Sequence, residues 1–323
     1  MKRFLFKLTI FFLPLVAGAY ALDYVITQGL KKTIYKELAA WNDLFDGKIN
    51  ADLIISGSSL AQNQISPLIL ENGLRCSSYN LGMDGSSFFI QNSRYEAYLK
   101  YNSKPRVLVQ TIDTGTLTRN TSLFNFQQLV PYLDEPVIFE AARAYRIVDE
   151  KDRMIPLHRY IGEYKLAAVG AIEYFGLGKY ENEEYKGYQP LEGTLGVNKF
   201  EMMTKNGNKL VVEIDKEMVE LFESFLRSSK ESGVTVYLVY SPILVDNFPF
   251  MENMEEIRGI FREMAIKYDI NILDYSDSQV SYRKELFYDG VHLNKEDAEI
   301  LSRQIVDDLI NKYGFKPCTE NPQ

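Results

Sequence analysis

Histidine, cysteine and tryptophan are scarce in this chain, which has two, two and one of them in 323 residues. His158 and His292 lie far apart, and Cys76 and Cys318 lack the close spacing of metal ligands, so we predict no metal or cofactor site. Two cysteines are also too few for a disulfide framework. We therefore expect that any chemistry is carried out by side chains, without a metal or cofactor.

Clusters of basic residues are also missing, and the net charge is −8. A nucleic-acid-binding surface needs a concentrated positive patch, so no nucleic-acid partner is expected. The composition is otherwise that of a globular protein, with 46% apolar residues. A chain of this length can bury a sizeable core, either as one large domain or as two.

The chain begins with a long apolar run behind two basic residues. Residues 4–26 contain only two charged side chains, Lys7 and Asp23. The uninterrupted part, residues 8–22, is short for a bilayer span, which needs about 20 residues. It fits either a signal peptide or a signal anchor, and residues 19–21 (Ala-Tyr-Ala) would serve as a cleavage site.

Apolar residues continue at helical spacing from Tyr24 to Leu38, which indicates that the helix runs on without a break. We therefore predict an uncleaved membrane anchor over residues 1–27 and a helical linker over residues 28–50, with a polar-faced helix at 31–47. The basic start keeps that end in the cytoplasm, which places the rest beyond the inner membrane, in the periplasm or outside the cell. No cysteine follows the run, which excludes a lipoprotein anchor.

The remainder, residues 51–323, alternates between short apolar strands and helices. Strands are predicted at residues 52–55, 74–81, 106–112, 234–240 and 270–273, and helices at 60–65, 88–101, 216–231, 254–268 and from Asn294 to Gly314. This alternation predicts an α/β fold of the flavodoxin-like type, a parallel sheet of about five strands covered by helices, with ligands at the carboxyl ends of the strands. Ser59, Gly85 and Asp113 all fall at such ends.

A candidate acid–base pair lies near the C-terminus, in Asp289-Gly290-Val291-His292. An imidazole with a carboxylate nearby can activate a hydroxyl group. The candidate hydroxyl is Ser59, because Ser56-Gly57-Ser58-Ser59 joins a strand to a helix and would raise Ser59 above the sheet, beside helix N-terminal amides. Each motif alone is more often a capping turn. Their joint order predicts a Ser59-His292-Asp289 site.

Residues 114–209 interrupt the alternation between the third strand and the following helix. The segment is rich in tyrosine, and its second half, residues 176–208, is rich in glycine and turns. We predict an inserted cap beside the strand ends that recognises the substrate and supplies no catalytic group. Its tyrosines could stack on sugar rings, but they are more often the core of a small helical subdomain. His158 is assigned a structural or surface role.

The motifs resemble those of the SGNH/GDSL hydrolase superfamily, in its membrane-anchored bacterial cell-envelope branch. Gly57-Ser58-Ser59 matches the nucleophile block, Gly85 the glycine of the second block, and Asp289 and His292 the last block. The resemblance implies a three-layer sandwich with Ser59 as nucleophile, His292 as base and Asp289 as its orienter. It also implies an oxyanion hole built from the N–H groups of Ser59 and Gly85.

Two positions depart from that pattern. Ser58 stands where the family usually has aspartate, and residues 110–114 (Gln-Thr-Ile-Asp-Thr) lack the asparagine of the third block, which is an oxyanion donor. Thr111, Thr114 or Asn80 are the candidate substitutes. The loss of one such donor typically costs about 10²–10³ in rate.

The resemblance implies an exported esterase or O-acyltransferase acting on a cell-envelope glycan. The expected partners are an envelope polysaccharide or acylated glycan and a membrane-bound acyltransferase, with D-alanyl transfer proteins among the similar proteins. The alternative is a non-catalytic module that binds such a glycan or scaffolds the acyltransferase. A nucleotide-binding protein is not expected, because no lysine follows the glycine turn and no Gly-x-Gly-x-x-Gly follows the first strand.

Overall fold

The computed structural model of the chain describes residues 1–119, 123–181, 185–194, 211–244 and 252–318. Contacts divide the chain into two compact units. The larger, here called the α/β unit, consists of Gly47–Phe124 and Glu184–Gln323. The smaller, here called the helical unit, consists of Met1–Asp46 and Asn125–Glu183.

The α/β unit is built on one parallel sheet. Its strands are β1 (Leu53–Ser56), β2 (Ser78–Asn80), β3 (Val107–Thr111), β4 (Thr235–Tyr240) and β5 (Asn271–Asp274), paired in the order β2-β1-β3-β4-β5. Strands β1 and β3 are buried at every residue, as expected for strands covered on both faces. The strand order is that of flavodoxin-like folds, and the predicted fold class is confirmed.

Helices cover both faces of this sheet. Within the described ranges of both units, the helices are α1 (Lys2–Leu30), α2 (Leu38–Phe45), α3 (Ser59–Gln64), α4 (Pro67–Leu74), α5 (Phe88–Tyr101), α6 (Pro136–Ala144), α7 (Lys151–Met154), α8 (Tyr164–Tyr174), α9 (Lys216–Glu231), α10 (Met254–Tyr268) and α11 (Lys295–Asn311). Apolar residues of α3, α4 and α11 form one core with Leu53 and Ile55 of β1. On the other face, Phe88 of α5, Phe222 of α9 and Phe261 of α10 form a chain of edge-to-face rings. The unit therefore has three layers.

The second strand is shorter than predicted, and an unpredicted helix precedes it. Residues 74–81 were expected to be extended, but α4 runs through Leu74 and β2 begins only at Ser78. Pro67 suits the first turn of a helix, where its missing N–H leaves no hydrogen bond unmade. Arg75 ends the helix in the left-handed region at φ 52°. Leu74 and Cys76, the apolar residues before β2, are buried in the core that α4 and α11 share, so their burial does not require a strand.

A disulfide joins Cys76, just after α4, to Cys318, which lies 242 positions further along the chain. Cys76 is fully buried, and Cys318 packs against the edge of the same core as α4 and α11. The bond therefore ties the C-terminal segment to the core. The scarcity of cysteine excluded a framework of disulfides but did not predict this single pair.

In the helical unit, α1 packs closely on α8. A Cβ atom built on Gly29 would lie 1.8 Å from the carbonyl oxygen of Gly170, and one built on Gly170 would lie 2.4 Å from that of Ile26. Only glycine at both positions allows this approach. By length and composition α1 could cross a membrane, and its most apolar 18-residue window is unburied.

The predicted polar-faced helix over residues 31–47 is wrong in its start and its face. Helix α1 ends at Leu30, and α2 covers only Leu38–Phe45, with Trp41 fully buried. The break is stabilised by Asn42, whose side-chain amide donates to the carbonyl oxygens of Leu30 and Thr33 at 3.0 and 2.8 Å. Carbonyls at a helix end lack partners within the helix, so a side-chain donor there favours termination.

Cys318→Ser should lower the free energy of unfolding by about 2–5 kcal/mol, because the disulfide restricts the unfolded chain. Denaturant unfolding of the variant and the wild type measures this difference. Wild-type protein in reductant is the matched control and should behave like the variant. Equal stabilities of the oxidised wild type and the variant would show that the bond does not form.

Candidate active site

The turn between β1 and α3 presents Ser59 at the edge of the sheet. Gly57 has φ +148°, and a Cβ atom there would lie 1.9 Å from Oγ1 of Thr111 on β3. Both facts require glycine. Ser58 is the N-cap of α3, with its hydroxyl accepting from the Leu60 N–H, so Ser59 occupies the first position of the helix. The predicted nucleophile turn therefore has a steric cause.

The loop before α11 holds Asp289 and His292 in one tight turn. Its ends are joined by an isolated antiparallel bridge between the buried residues Phe287 and Leu293. Inside the turn, the N–H groups of Val291 and His292 both donate to Oδ1 of Asp289 at 2.8 Å. The carboxylate thus organises its own loop as well as the imidazole.

The structure brings Ser59, His292 and Asp289 together. His292 Nε2 lies 2.7 Å from Ser59 Oγ, and His292 Nδ1 lies 2.9 Å from Asp289 Oδ2. With the Nδ1–H donated to the carboxylate, Nε2 is left with its lone pair toward the serine hydroxyl. The side chains of His292 and Asp289 are 19% and 23% exposed. A small molecule in solvent can therefore reach this arrangement, which has the geometry of a nucleophile, a base and its orienter.

A side-chain amide links the serine helix directly to the histidine loop. Gln64, the last residue of α3, donates from Nε2 to the carbonyl oxygen of Val291 at 3.1 Å. Just beyond it, the Ser66 N–H donates to the hydroxyl of Ser302 on α11 at 2.8 Å. These bonds fix α3 relative to the element that follows His292, and sequence reasoning did not find them because each joins residues more than 200 positions apart.

Asp289 stays ionised over most of the pH range. Burial raises the pKa of its carboxyl group, but hydrogen bonds from the His292 ring and from the N–H groups of His292 and Val291 outweigh that effect, so the pKa is lowered. A lowered pKa in the folded state adds stability above the unfolded pKa, and that stability is lost as the pH falls through the folded value. The orienting charge is therefore present at neutral pH.

Gly85 lies on an exposed turn after β2, at the same sheet edge as Ser59. Its φ is +62°, and a Cβ atom there would lie 2.4 Å from the Phe124 side chain. The turn is joined to the serine segment by two hydrogen bonds: Met83 N–H to the Gly57 carbonyl at 3.0 Å, and Asp84 N–H to Gln62 Oε1 at 2.8 Å. Among the residues that the structure describes, the N–H groups of Ser59 and Gly85 donate to no acceptor. They remain available for an oxyanion.

Two of the candidate substitutes for the missing asparagine, Asn80 and Thr111, are buried. The amide of Asn80 is fully buried, donates to the carbonyls of Ala61 and Ile65, and accepts from the Gly82 N–H. Thr111 is 1% exposed and packs against Gly57. Asn80 therefore shapes the second block, and Thr111 shapes the serine turn.

Asp113, which follows β3 in the third block, contacts the serine turn. Ser58 Oγ donates to Asp113 Oδ2 at 2.8 Å, while Asp113 Oδ1 accepts from the Thr116 N–H at 3.0 Å. Ser58, one of the departures from the family pattern, is therefore bonded to the acid of the third block. The sequence placed Asp113 at this sheet edge but assigned it no role.

Part of the predicted insertion lies against both catalytic segments. Residues 185–192 are here called the strap. The carbonyl oxygen of its Lys186 accepts a hydrogen bond from the Asn80 N–H. The Gln189 N–H donates to the carbonyl of Gln62 at 3.0 Å, and the Leu191 carbonyl accepts from the Lys295 N–H at 2.9 Å. Gln62 and Lys295 lie three residues beyond Ser59 and His292 respectively. The strap thus supports the site through backbone bonds.

The structure gives the strand order and the positions of three motifs. These are the serine after β1, the glycine after β2 and the Asp-x-x-His turn after β5. On a flavodoxin-like parallel sheet, this arrangement resembles that of the SGNH/GDSL hydrolases. No family model and no curated protein matches its sequence. The SGNH-like assignment depends on the chain's own sheet order and on the contacts between its motifs.

Solved structures align with the chain at low sequence identity. One, from Streptococcus pneumonia, is described as an inferred platelet activating factor: TM-score 0.43, 13% identity, covering 86% of this chain and 90% of that one. An inferred acylhydrolase from Bacteroides fragilis aligns with TM-score 0.37 and 13% identity over 81% of this chain and 86% of that one. A family two carbohydrate esterase from Clostridium thermocellum, in complex with cellohexaose, aligns with TM-score 0.36 and 10% identity over 81% and 64%.

The bond between Ser58 and Asp113 predicts a coupled loss of serine reactivity. Ser58→Ala and Asp113→Ala should each slow labelling of Ser59 by a fluorophosphonate about 10- to 100-fold, because a hydrogen bond to a charged group contributes about 1.5–3 kcal/mol. The double variant should be little worse than the poorer single one. Thr118→Ala, which removes a hydroxyl bonded only to the Gly115 carbonyl among the described contacts, is the matched control. Losses that multiply in the double variant would contradict a shared interaction.

Proposed function

We propose that the chain is an exported, membrane-anchored serine enzyme that transfers or hydrolyses acyl groups on a cell-envelope glycan. The observation that carries this proposal is the continuous hydrogen-bonded line from Ser59 Oγ through the His292 ring to Asp289, at 2.7 and 2.9 Å. A neutral imidazole that is hydrogen-bonded on one side to a carboxylate and on the other to a hydroxyl can act as a general base.

In the proposed reaction, His292 Nε2 accepts the hydroxyl proton as Ser59 Oγ bonds to the ester carbonyl carbon. The N–H groups of Ser59 and Gly85 stabilise the resulting oxyanion. The ester C–O bond then breaks, and the leaving alkoxide takes the proton from His292. Water or a sugar hydroxyl repeats the steps on the acyl-enzyme, which releases a carboxylic acid or a new ester and restores the Ser59 hydroxyl.

The absence of the third-block asparagine implies a slow or specialised enzyme. Two backbone donors remain, and the loss of a side-chain donor typically costs about 10²–10³ in rate. Asp113 adds a carboxylate beside the serine turn, which disfavours a nearby oxyanion. This local chemistry is the observation that supports the alternative, a non-catalytic module that binds an envelope glycan or scaffolds a membrane acyltransferase.

Two features support export. Helix α1 has the length and apolarity of a membrane span, and the chain holds a disulfide between Cys76 and Cys318. Structural disulfides persist in oxidising compartments and are rare in the cytoplasm. A catalytic unit held at the outer side of the membrane suits a glycan or acylated glycan made or modified there, and a membrane-bound acyltransferase as its partner.

Wild-type protein should react with a fluorophosphonate at Ser59. Mass spectrometry of the digested protein locates the adduct. Ser59→Ala should abolish labelling, and His292→Ala should reduce it at least about 100-fold because the general base is lost. His158→Ala is the matched control, since that ring pairs with Asp152 in the helical unit and should not affect labelling. Labelling of another serine, or none in the wild type, would favour the non-catalytic alternative.

Helix α1 should remain attached to the mature protein. N-terminal sequencing of protein purified from membranes should begin at or near Met1, and the protein should need detergent for release. The physical reason is that α1 is one continuous helix and contacts the helical unit before the possible cleavage site as well as after it, with the Tyr20 hydroxyl donating to the Met154 carbonyl. A mature terminus at Leu22, with soluble protein, would show that residues 19–21 are a cleavage site.

A further inference from the structure

A group of exposed apolar side chains surrounds the point where α1 leaves the helical unit. Residues 2–4 and 6–18 of α1 are exposed, and burial of the helix begins near Ala19. At this level Tyr20 and Tyr24 are 54% and 58% exposed, and from other parts of the same unit Met154 and Phe175 are each 69% exposed. Ile155, 48% exposed, follows Met154. These five residues are here called the collar.

Contacts within the helical unit place the collar residues at one level. The Tyr20 hydroxyl donates to the Met154 carbonyl at 3.2 Å, and the Leu157 N–H donates to Asp23 Oδ2 at 2.7 Å. On the α8 side, the Tyr24 ring contacts the Tyr174 ring, which in turn contacts Phe175. The segment around Met154 and the end of α8 thus both lie beside residues 20–24 of α1.

The length of α1 sets this level relative to a bilayer. At 1.5 Å per residue, the 20 residues from Lys2 to Ala21 span about 30 Å, the thickness of the hydrocarbon region. The residues that follow, Leu22 to Tyr24, then lie at the boundary between acyl chains and headgroups. Tyrosine is enriched at this boundary because its ring is apolar and its hydroxyl polar.

We propose that the collar is a second membrane contact, in which Met154, Ile155 and Phe175 insert into the headgroup boundary around α1. This inference rests on the proposed anchoring of α1. Single exposed apolar residues need no explanation, but five at one level, continuous with an apolar helix of membrane-spanning length, indicate a lipid-facing surface. The collar surrounds α1, so the bilayer that α1 enters is the partner that contacts it.

The charges beside Met154 indicate which lipids are needed. Lys151 pairs with Asp149 at 3.3 Å, and Arg143 pairs with Glu150 at 3.8 Å. Because acidic and basic groups are interspersed in residues 149–153 (Asp-Glu-Lys-Asp-Arg), this described segment carries no concentrated positive charge to bind anionic headgroups. Insertion is therefore driven by apolar burial, and the contact should form on zwitterionic lipid as well as on anionic lipid.

Tryptophan quenching by brominated lipids tests the collar in the full chain. The wild type has one tryptophan, the fully buried Trp41, which sets the baseline. Met154→Trp in phosphatidylcholine vesicles should be quenched several-fold above that baseline by lipids brominated near the headgroup. Leu13→Trp reports α1 and should be quenched by deeply brominated lipids. Ile34→Trp, exposed by 50% and beyond the end of α1 in the same unit, should stay at the baseline.

The outcomes separate the collar from the anchor. Quenching of Leu13→Trp with Met154→Trp at the baseline would overturn the collar and leave the anchor intact, and would assign the exposed side chains to a protein partner. A baseline signal at both positions would refute the anchor and the collar together. Equal quenching of Met154→Trp and Ile34→Trp would also overturn the collar, because it would show non-specific contact of the unit with lipid. Dependence on anionic lipid would contradict insertion by apolar burial.

Discussion

The hydrogen bond between Ser59 Oγ and His292 Nε2 joins residues 233 positions apart. Several contacts of the α/β unit hold these two residues within bonding distance. A bond of this kind tolerates errors of only a few tenths of an ångström. The parallel sheet supplies that accuracy by bringing the carboxyl end of β1 and the loop after β5 to one edge. The packing of α3 and α4 against α11 fixes the two segments from one side, with Gln64 and Ser302 bonding across. The strap holds both segments through backbone hydrogen bonds to Gln62 and Lys295.

The serine turn is constrained more tightly than its neighbours. Gly57 has a positive φ and no room for a side chain, and its carbonyl receives the N–H of Met83. This hydrogen bond links the serine turn to the turn that carries Gly85. In the proposed reaction such rigidity would favour oxyanion binding, since preorganised dipoles need no reorientation. Asp113 adds a further restraint on the turn, because it accepts a hydrogen bond from the Ser58 hydroxyl.

Features written in short, contiguous patterns were predictable from sequence. The five strands, α5, α9 and α10, and the serine and histidine turns each carry a local signal of apolar alternation or of glycine and capping residues, and the structure contains them. The distances within the Ser59-His292-Asp289 group follow once the sheet order is right. The start of the predicted second strand was wrong, because the buried apolar residues Leu74 and Cys76 pack in the core shared by α4 and α11 instead.

Features that depend on distant partners were not predictable from one sequence. The Cys76–Cys318 disulfide, the bond of Ser58 to Asp113, and the packing of α1 on α8 join segments with no local sign of each other. The division of the chain is of the same kind. Residues 125–183 group with the N-terminal 46 residues, while the strap groups with the sheet. Sequence reasoning treated the whole of residues 114–209 as one insertion, and its function as a cap remains a prediction.

The disulfide also has a consequence for the order of events during synthesis. Ribosomes make the chain from the N-terminus, so Cys76 emerges 242 residues before its partner. Until Cys318 arrives, the thiol of Cys76 is protected only by the core that forms around it, and α11, which belongs to that core, arrives late as well. The disulfide can therefore form only after every strand of the sheet and α11 have been synthesised. Its oxidation state reports whether the whole α/β unit, and not only its first half, has come together.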